Sequence, residues 1–129
     1  MVRKPSQQPT DAELAILNVL WRHGAATVRQ VHESLPSGSA VGYTTVLKTL
    51  QIMTDKGLVG RDETQRAHVY EPAVSSDRTR RGLVTDLMNR AFDGSAAHLA
   101  MQALAGGKAS ADEIAAIRDL LDQLEDEEP

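Results

Sequence analysis

With 129 residues there is enough chain for one domain or two very small ones, and a composition 41% hydrophobic and 25% charged excludes a disordered polymer. The absence of cysteine excludes a disulfide framework and any thiolate metal site. The formal net charge of −4 is unevenly spread: residues 1–72 carry eight Lys/Arg against seven Asp/Glu, and residues 73–129 carry six against eleven.

Trp21, Tyr43, Tyr70 and Phe92 are all the aromatic residues, so the core is built from aliphatic side chains, which suits helices better than sheets. So short a chain buries a limited core, and a second subunit would add apolar area. Residues 1–9 read as a flexible N-terminal arm. No apolar segment follows its polar Ser6-Gln7-Gln8-Pro9, and no run reaches the length of a membrane span. The expectation is a soluble cytoplasmic protein with no membrane partner.

Thr10, with Glu13 three residues on, predicts a capped helix ending at Gly24. Thr27 with Gln30 repeats the pattern and opens a short second helix closed by Pro36. After the Ser37-Gly38-Ser39 loop, a third helix runs from about Gly42 to Lys56, with Gly57 as its C-terminal cap. Val59-Gly60-Arg61 and Ala67-His68-Val69-Tyr70 flank a charged stretch, as in a β-hairpin. The remainder is helical: 76–93, about 96–105, and a last helix opened by Ser110 with Glu113.

Three helices and then a hairpin within about 65 residues is the order of a winged helix-turn-helix. The fold class expected is therefore mainly α with a small β-hairpin: a winged-helix domain over 10–74, then a helical dimerisation domain over 75–129. In such a fold the third helix enters the major groove, so it needs one face for the core and one free to reach base edges. Val46, Leu47, Leu50 and Met53 supply the first; Thr44, Thr45, Lys48, Ile52 and Asp55 supply the second, with Thr49 and Gln51 at its edges. Gly42 at the N-cap leaves bare N–H groups that can bind a phosphate. Arg29 and Gln30 on the second helix, and Arg66 at the hairpin tip, are candidates for backbone contacts. The competing reading of all these residues is an ordinary solvated surface.

Thr10-Asp11-Ala12-Glu13, Val19-Leu20-Trp21, Ala26-Thr27-Val28-Arg29-Gln30-Val31, the run Tyr43 to Leu50, Lys56-Gly57-Leu58-Val59 and Arg66 to Tyr70 together resemble the penicillinase-repressor family of bacteria. The resemblance implies a dimeric repressor on a pseudo-palindromic operator. It puts Tyr43, Thr44, Thr45, Lys48 and Thr49 in or beside the groove, and Arg66 and His68 on the wing. The copper-responsive branch of that family uses C-terminal cysteines, which this chain lacks. The β-lactam branch is cut by a protease at an Asn–Phe bond, where this chain has Gln102-Ala103. The inducing protease or small-molecule signal is therefore not read from the sequence.

The C-terminal helices carry apolar stripes that a second copy would cover, with Leu83, Leu87, Ile114, Ile117, Leu121 and Leu124 as the candidate interface. An intramolecular core is the other reading. No HExxH, GxSxG, P-loop or GxGxxG spacing occurs, so neither an enzyme nor a cofactor or metal is expected. The alternative function is a winged-helix module that binds protein rather than DNA.

Overall fold

The computed structural model describes residues 8–36 and 41–127. Helix α1 (Asp11–His23) begins where the Thr10 hydroxyl accepts the Glu13 N–H at 3.2 Å and the Glu13 carboxylate accepts the Thr10 N–H at 2.8 Å. This reciprocal pair satisfies two backbone donors that the first turn leaves orphaned. Thr27 and Gln30 make the same box at the start of α2 (Val28–Ser34). Between the two helices lies a two-residue strand, β1 (Ala26–Thr27).

Helix α3 (Tyr43–Lys56) stops at Gly57, whose φ of 81° is left-handed. That turn directs the Gly57 N–H to the Thr54 carbonyl and the Leu58 N–H to the Met53 carbonyl, at 3.1 and 2.9 Å. The chain then enters β2 (Val59–Asp62) and returns in β3 (Val69–Pro72), an antiparallel pair in which Arg61 faces Tyr70. β1 pairs with the other edge of β3, Ala26 opposite Tyr70, giving the sheet order β1-β3-β2. Helices α1 to α3 with this sheet form a winged helix, as the sequence order predicts. The third strand was not expected, because two residues carry no alternation pattern of their own and β1 exists only through its non-local partner.

Ile16, Leu17 and Leu20 of α1, Val28 and Val31 of α2, Val46, Leu50 and Met53 of α3, and Leu58, Val59 and Tyr70 of the sheet side form one core. On α3 the spacing is i, i+4, i+7, a single stripe. Leu47 packs only at its margin. Beyond β3, the Trp21 indole N–H donates to the Val74 carbonyl at 3.0 Å, and the Arg80 guanidinium lies over the Trp21 ring, 5.4 Å from its centroid. These contacts seat the start of α4 (Ser76–Ala91) on α1.

Two compact units divide the chain after Val84, inside α4. The charge divides there too. Residues 1–84 hold eleven Lys/Arg against eight Asp/Glu, a net of +3, and residues 85–129 hold three against ten, a net of −7. Arg78, Arg80 and Arg81 thus belong with the basic unit. The second unit continues with α5 (Ala96–Ala105), capped by Ser95, and α6 (Ala111–Glu127), opened by a third reciprocal box between Ser110 and Glu113. None of α4, α5 and α6 contains a fully buried residue. Among the described residues, no helix is long and apolar enough to cross a membrane.

Candidate nucleic-acid interface

The two faces of α3 differ as sharply as burial allows. Val46, Leu50 and Met53 are wholly inaccessible, while Tyr43, Thr44, Thr45, Lys48 and Gln51 are exposed. Ile52, 43% exposed, is the one large aliphatic residue on the open side of the helix. An isoleucine left in water gains nothing for the fold, but it is chemically suited to the methyl group of a thymine. Lys48 makes no ion pair with any described residue, so its ammonium is available. Thr49 is half-buried and its hydroxyl donates to the Thr45 carbonyl at 2.8 Å, which commits its proton within the helix and leaves the oxygen only as an acceptor.

The start of α3 is unlike that of α1 or α2. Gly42 is the N-cap and offers no side-chain hydrogen bond. Among the described residues the first-turn N–H groups of Tyr43, Thr44 and Thr45 therefore have no capping side chain, and a helix start of this kind carries a partial positive charge. The Val46 N–H is the first to bond within the helix, to the Gly42 carbonyl at 3.1 Å. Bare donors beside exposed threonines and a free lysine suit a phosphate and the base edges next to it.

The other end of α3 is held by an ion pair. Lys56 Nζ donates to both carboxylate oxygens of Glu13, at 2.9 and 3.1 Å. Glu13 is only 2% exposed. Burial by itself raises its pKa, but the Thr10 backbone bond, the Lys56 bond and charge, and the Thr10 side chain outweigh it and hold the carboxyl below the ordinary value. The α1 cap and the C-terminal turn of α3 thus share one carboxylate.

On α2, Arg29 is exposed and lies 3.6 Å from Glu33 one turn away. Gln30 is exposed, with its amide oxygen committed to the Thr27 N–H and its amide nitrogen free for another acceptor. Arg66 and His68 are exposed in the segment joining β2 and β3, just before the ladder resumes at Val69. That segment folds on itself. Asp62 accepts from the Thr64 N–H and hydroxyl at 2.9 and 2.7 Å, bonds that lower its pKa, and Arg61 pairs with Glu63 at 2.8 Å. Hydrogen bonding to Tyr70 raises the Arg61 pKa, and the Glu63 charge adds to it. Glu63 is thereby paired with Arg61, Asp62 keeps its charge in hydrogen bonds to Thr64, and Arg66 is left without an ion pair among the described residues.

Of the predicted interface between copies, Leu87, Ile114, Leu121 and Leu124 are exposed, and Leu83 and Ile117 are half-buried. Gln102 and Ala103 lie exposed within α5. Among the described residues no group of three His, Cys, Asp or Glu is arranged to hold a metal ion. Sequence reasoning assigned Glu13 to the cap alone and gave Lys56 no role. Their pairing joins residues 43 apart, which no local pattern signals.

A sequence model of the family described as "Penicillinase repressor" matches residues 9–123. The "Transcriptional regulator BlaI" of Mycobacterium tuberculosis (strain ATCC 25618 / H37Rv) is 37% identical over 116 residues, covering 89% of this chain and 83% of that protein. The "Penicillinase repressor" of Bacillus licheniformis is 23% identical over 120 residues, covering 93% of this chain and 94% of that protein. Among solved structures, the solution structure of the DNA-binding domain of the repressor BlaI matches with a TM-score of 0.49 at 27% identity, over 57% of this chain and 90% of that one. With the family's match running from the arm preceding α1 into α6, and a relative this similar over most of both lengths, the chain belongs to the penicillinase-repressor family.

Proposed function

We propose that the chain is a transcriptional repressor that binds operator DNA as a homodimer, with α3 in the major groove. The observation that carries this reading is the division of α3 into a fully buried aliphatic stripe and an open face of Tyr43, Thr44, Thr45 and Lys48. Family membership supports the repressor function, since the similar proteins bear the names transcriptional regulator and penicillinase repressor. Within this reading Thr44, Thr45 and Lys48 read bases, the bare start of α3 takes a phosphate, and Arg29, Gln30, Arg66 and His68 grip the backbone on either side.

The unburied apolar residues of α4 and α6 support a pairing of two copies, and the negative charge of residues 85–129 keeps that part off the duplex. Two copies related by a two-fold axis present two α3 helices to half-sites about one helical turn apart. No step of this function calls for catalysis. Selection from a pool of random duplexes, followed by footprinting of the enriched sequence, tests the reading. An inverted repeat protected in two patches about 10 base pairs apart is expected; a pool that yields no enriched sequence would contradict it.

A further inference from the structure

His32 lies outside every contact considered so far. It sits on the α2 face toward the start of α3, half-buried, with Nε2 3.0 Å from the carbonyl oxygen of Val41. A carbonyl only accepts, so Nε2 carries the proton and donates, whatever the state of Nδ1. The same imidazole meets the Tyr43 ring edge-on, with centroids 6.2 Å apart and planes at 81°, a favourable arrangement for two aromatic rings. Val41 and Tyr43 flank the N-cap Gly42. One side chain of α2 thus touches the chain on both sides of the point where α3 begins.

This matters because, among the described residues, α3 is the helix without a side-chain cap at its start. α1 and α2 are each fixed at their first turn by a reciprocal box, and α6 by a third. A capping Ser or Asp at position 42 would fix α3 too, but its oxygen would occupy the N–H groups that the proposed interface offers to phosphate. A bond from outside the helix to the carbonyl before the cap anchors the start and leaves those donors free. Resting on the DNA-binding reading, we propose that His32 is the positioning residue of the interface: it sets where α3 begins and how Tyr43 is presented, without touching DNA.

The test uses the full chain, its His32→Ala and His32→Gln variants, and the duplex enriched from the random pool, with a scrambled duplex as control. Glutamine places an amide N–H at a reach similar to Nε2 and is expected to restore the bond. The alanine variant is expected to bind the enriched duplex about tenfold more weakly, a loss on the order of one well-placed hydrogen bond. Its binding to the scrambled duplex should be unchanged, and the glutamine variant should bind within about twofold of the parent. Hydrogen exchange at the Val46 amide, which closes the first turn of α3, is expected to accelerate in the alanine variant and to recover in the glutamine variant. Alanine binding as tightly as the parent, or glutamine no better than alanine at equal melting temperature, would overturn the proposal. Should no duplex be enriched, the DNA reading fails by itself, and the exchange rates alone decide the role of His32: unchanged rates overturn it.

Discussion

Lys56, the last residue of α3, grips both oxygens of Glu13 from a distance of 43 residues along the chain, while Glu13 simultaneously caps α1. The Lys56 side chain is 40% exposed and that of Glu13 almost wholly buried, so the pair is cheap to form at one end and costly to break at the other. Lys56→Ala leaves a buried carboxylate with only the Thr10 contacts. The full penalty for orphaning a buried charge is about 3–5 kcal/mol, and water reaching the half-open lysine site lowers it, so we expect a loss of about 2 kcal/mol in urea unfolding.

The same pair sets an acid limit. Because the folded-state pKa of Glu13 is lowered, its contribution is fully present above the unfolded carboxyl value of about 4.3, and is lost as pH falls through the lower folded value. Glu13→Gln keeps an acceptor for the Thr10 N–H and removes this titration. The parent is expected to lose stability relative to the variant as the pH is lowered from 5 toward 2, seen by circular dichroism melts; parallel curves would show that Glu13 is not a linked group.

Leu50 has no exposed surface and lies in the centre of the buried stripe of α3. Leu50→Ala is expected to cost about 2–5 kcal/mol through lost burial and a cavity, and any loss of DNA binding should follow the unfolded fraction. Lys48→Ala should behave in the opposite way, with a melting temperature unchanged and binding to the enriched duplex weakened about tenfold or more, within the range of a base contact. Equal losses of stability and binding in the Lys48 variant would assign that residue to packing.

Leu121, 54% exposed on α6, is a candidate for the contact between copies. Leu121→Asp should convert dimers to monomers in light scattering while leaving the helical content intact. Dimers of unaltered mass would move the interface elsewhere.

Much of this fold was legible because its signals are local. Three Ser/Thr-to-Glu/Gln boxes and the glycine after Lys56 each sit within one helical turn of the end they mark, and each appears in the structure. The open side of α3 was equally legible, since helical periodicity alone separates Thr44, Thr45, Lys48 and Ile52 from the core stripe. What the sequence hid depends on partners far along the chain. β1 exists through Val69 and Tyr70, the Glu13 ion pair through Lys56, and the His32 contact through the Val41 carbonyl nine residues on. The helix expected over 76–93 ends at Ala91, because Asp93 and Gly94 turn the chain with positive φ values of 50° and 78°.

Salt titration of binding to the enriched duplex is the most direct measurement. If α3 and its flanking cations displace counterions from phosphates, the logarithm of affinity falls linearly with the logarithm of salt concentration, by about 0.9 for each phosphate neutralised. We expect a slope of several units, reduced by about one in Arg66→Ala and little changed in Lys48→Ala if Lys48 meets a base. A slope near zero, or equal affinity for the enriched and scrambled duplexes at every salt concentration, would contradict a sequence-reading repressor.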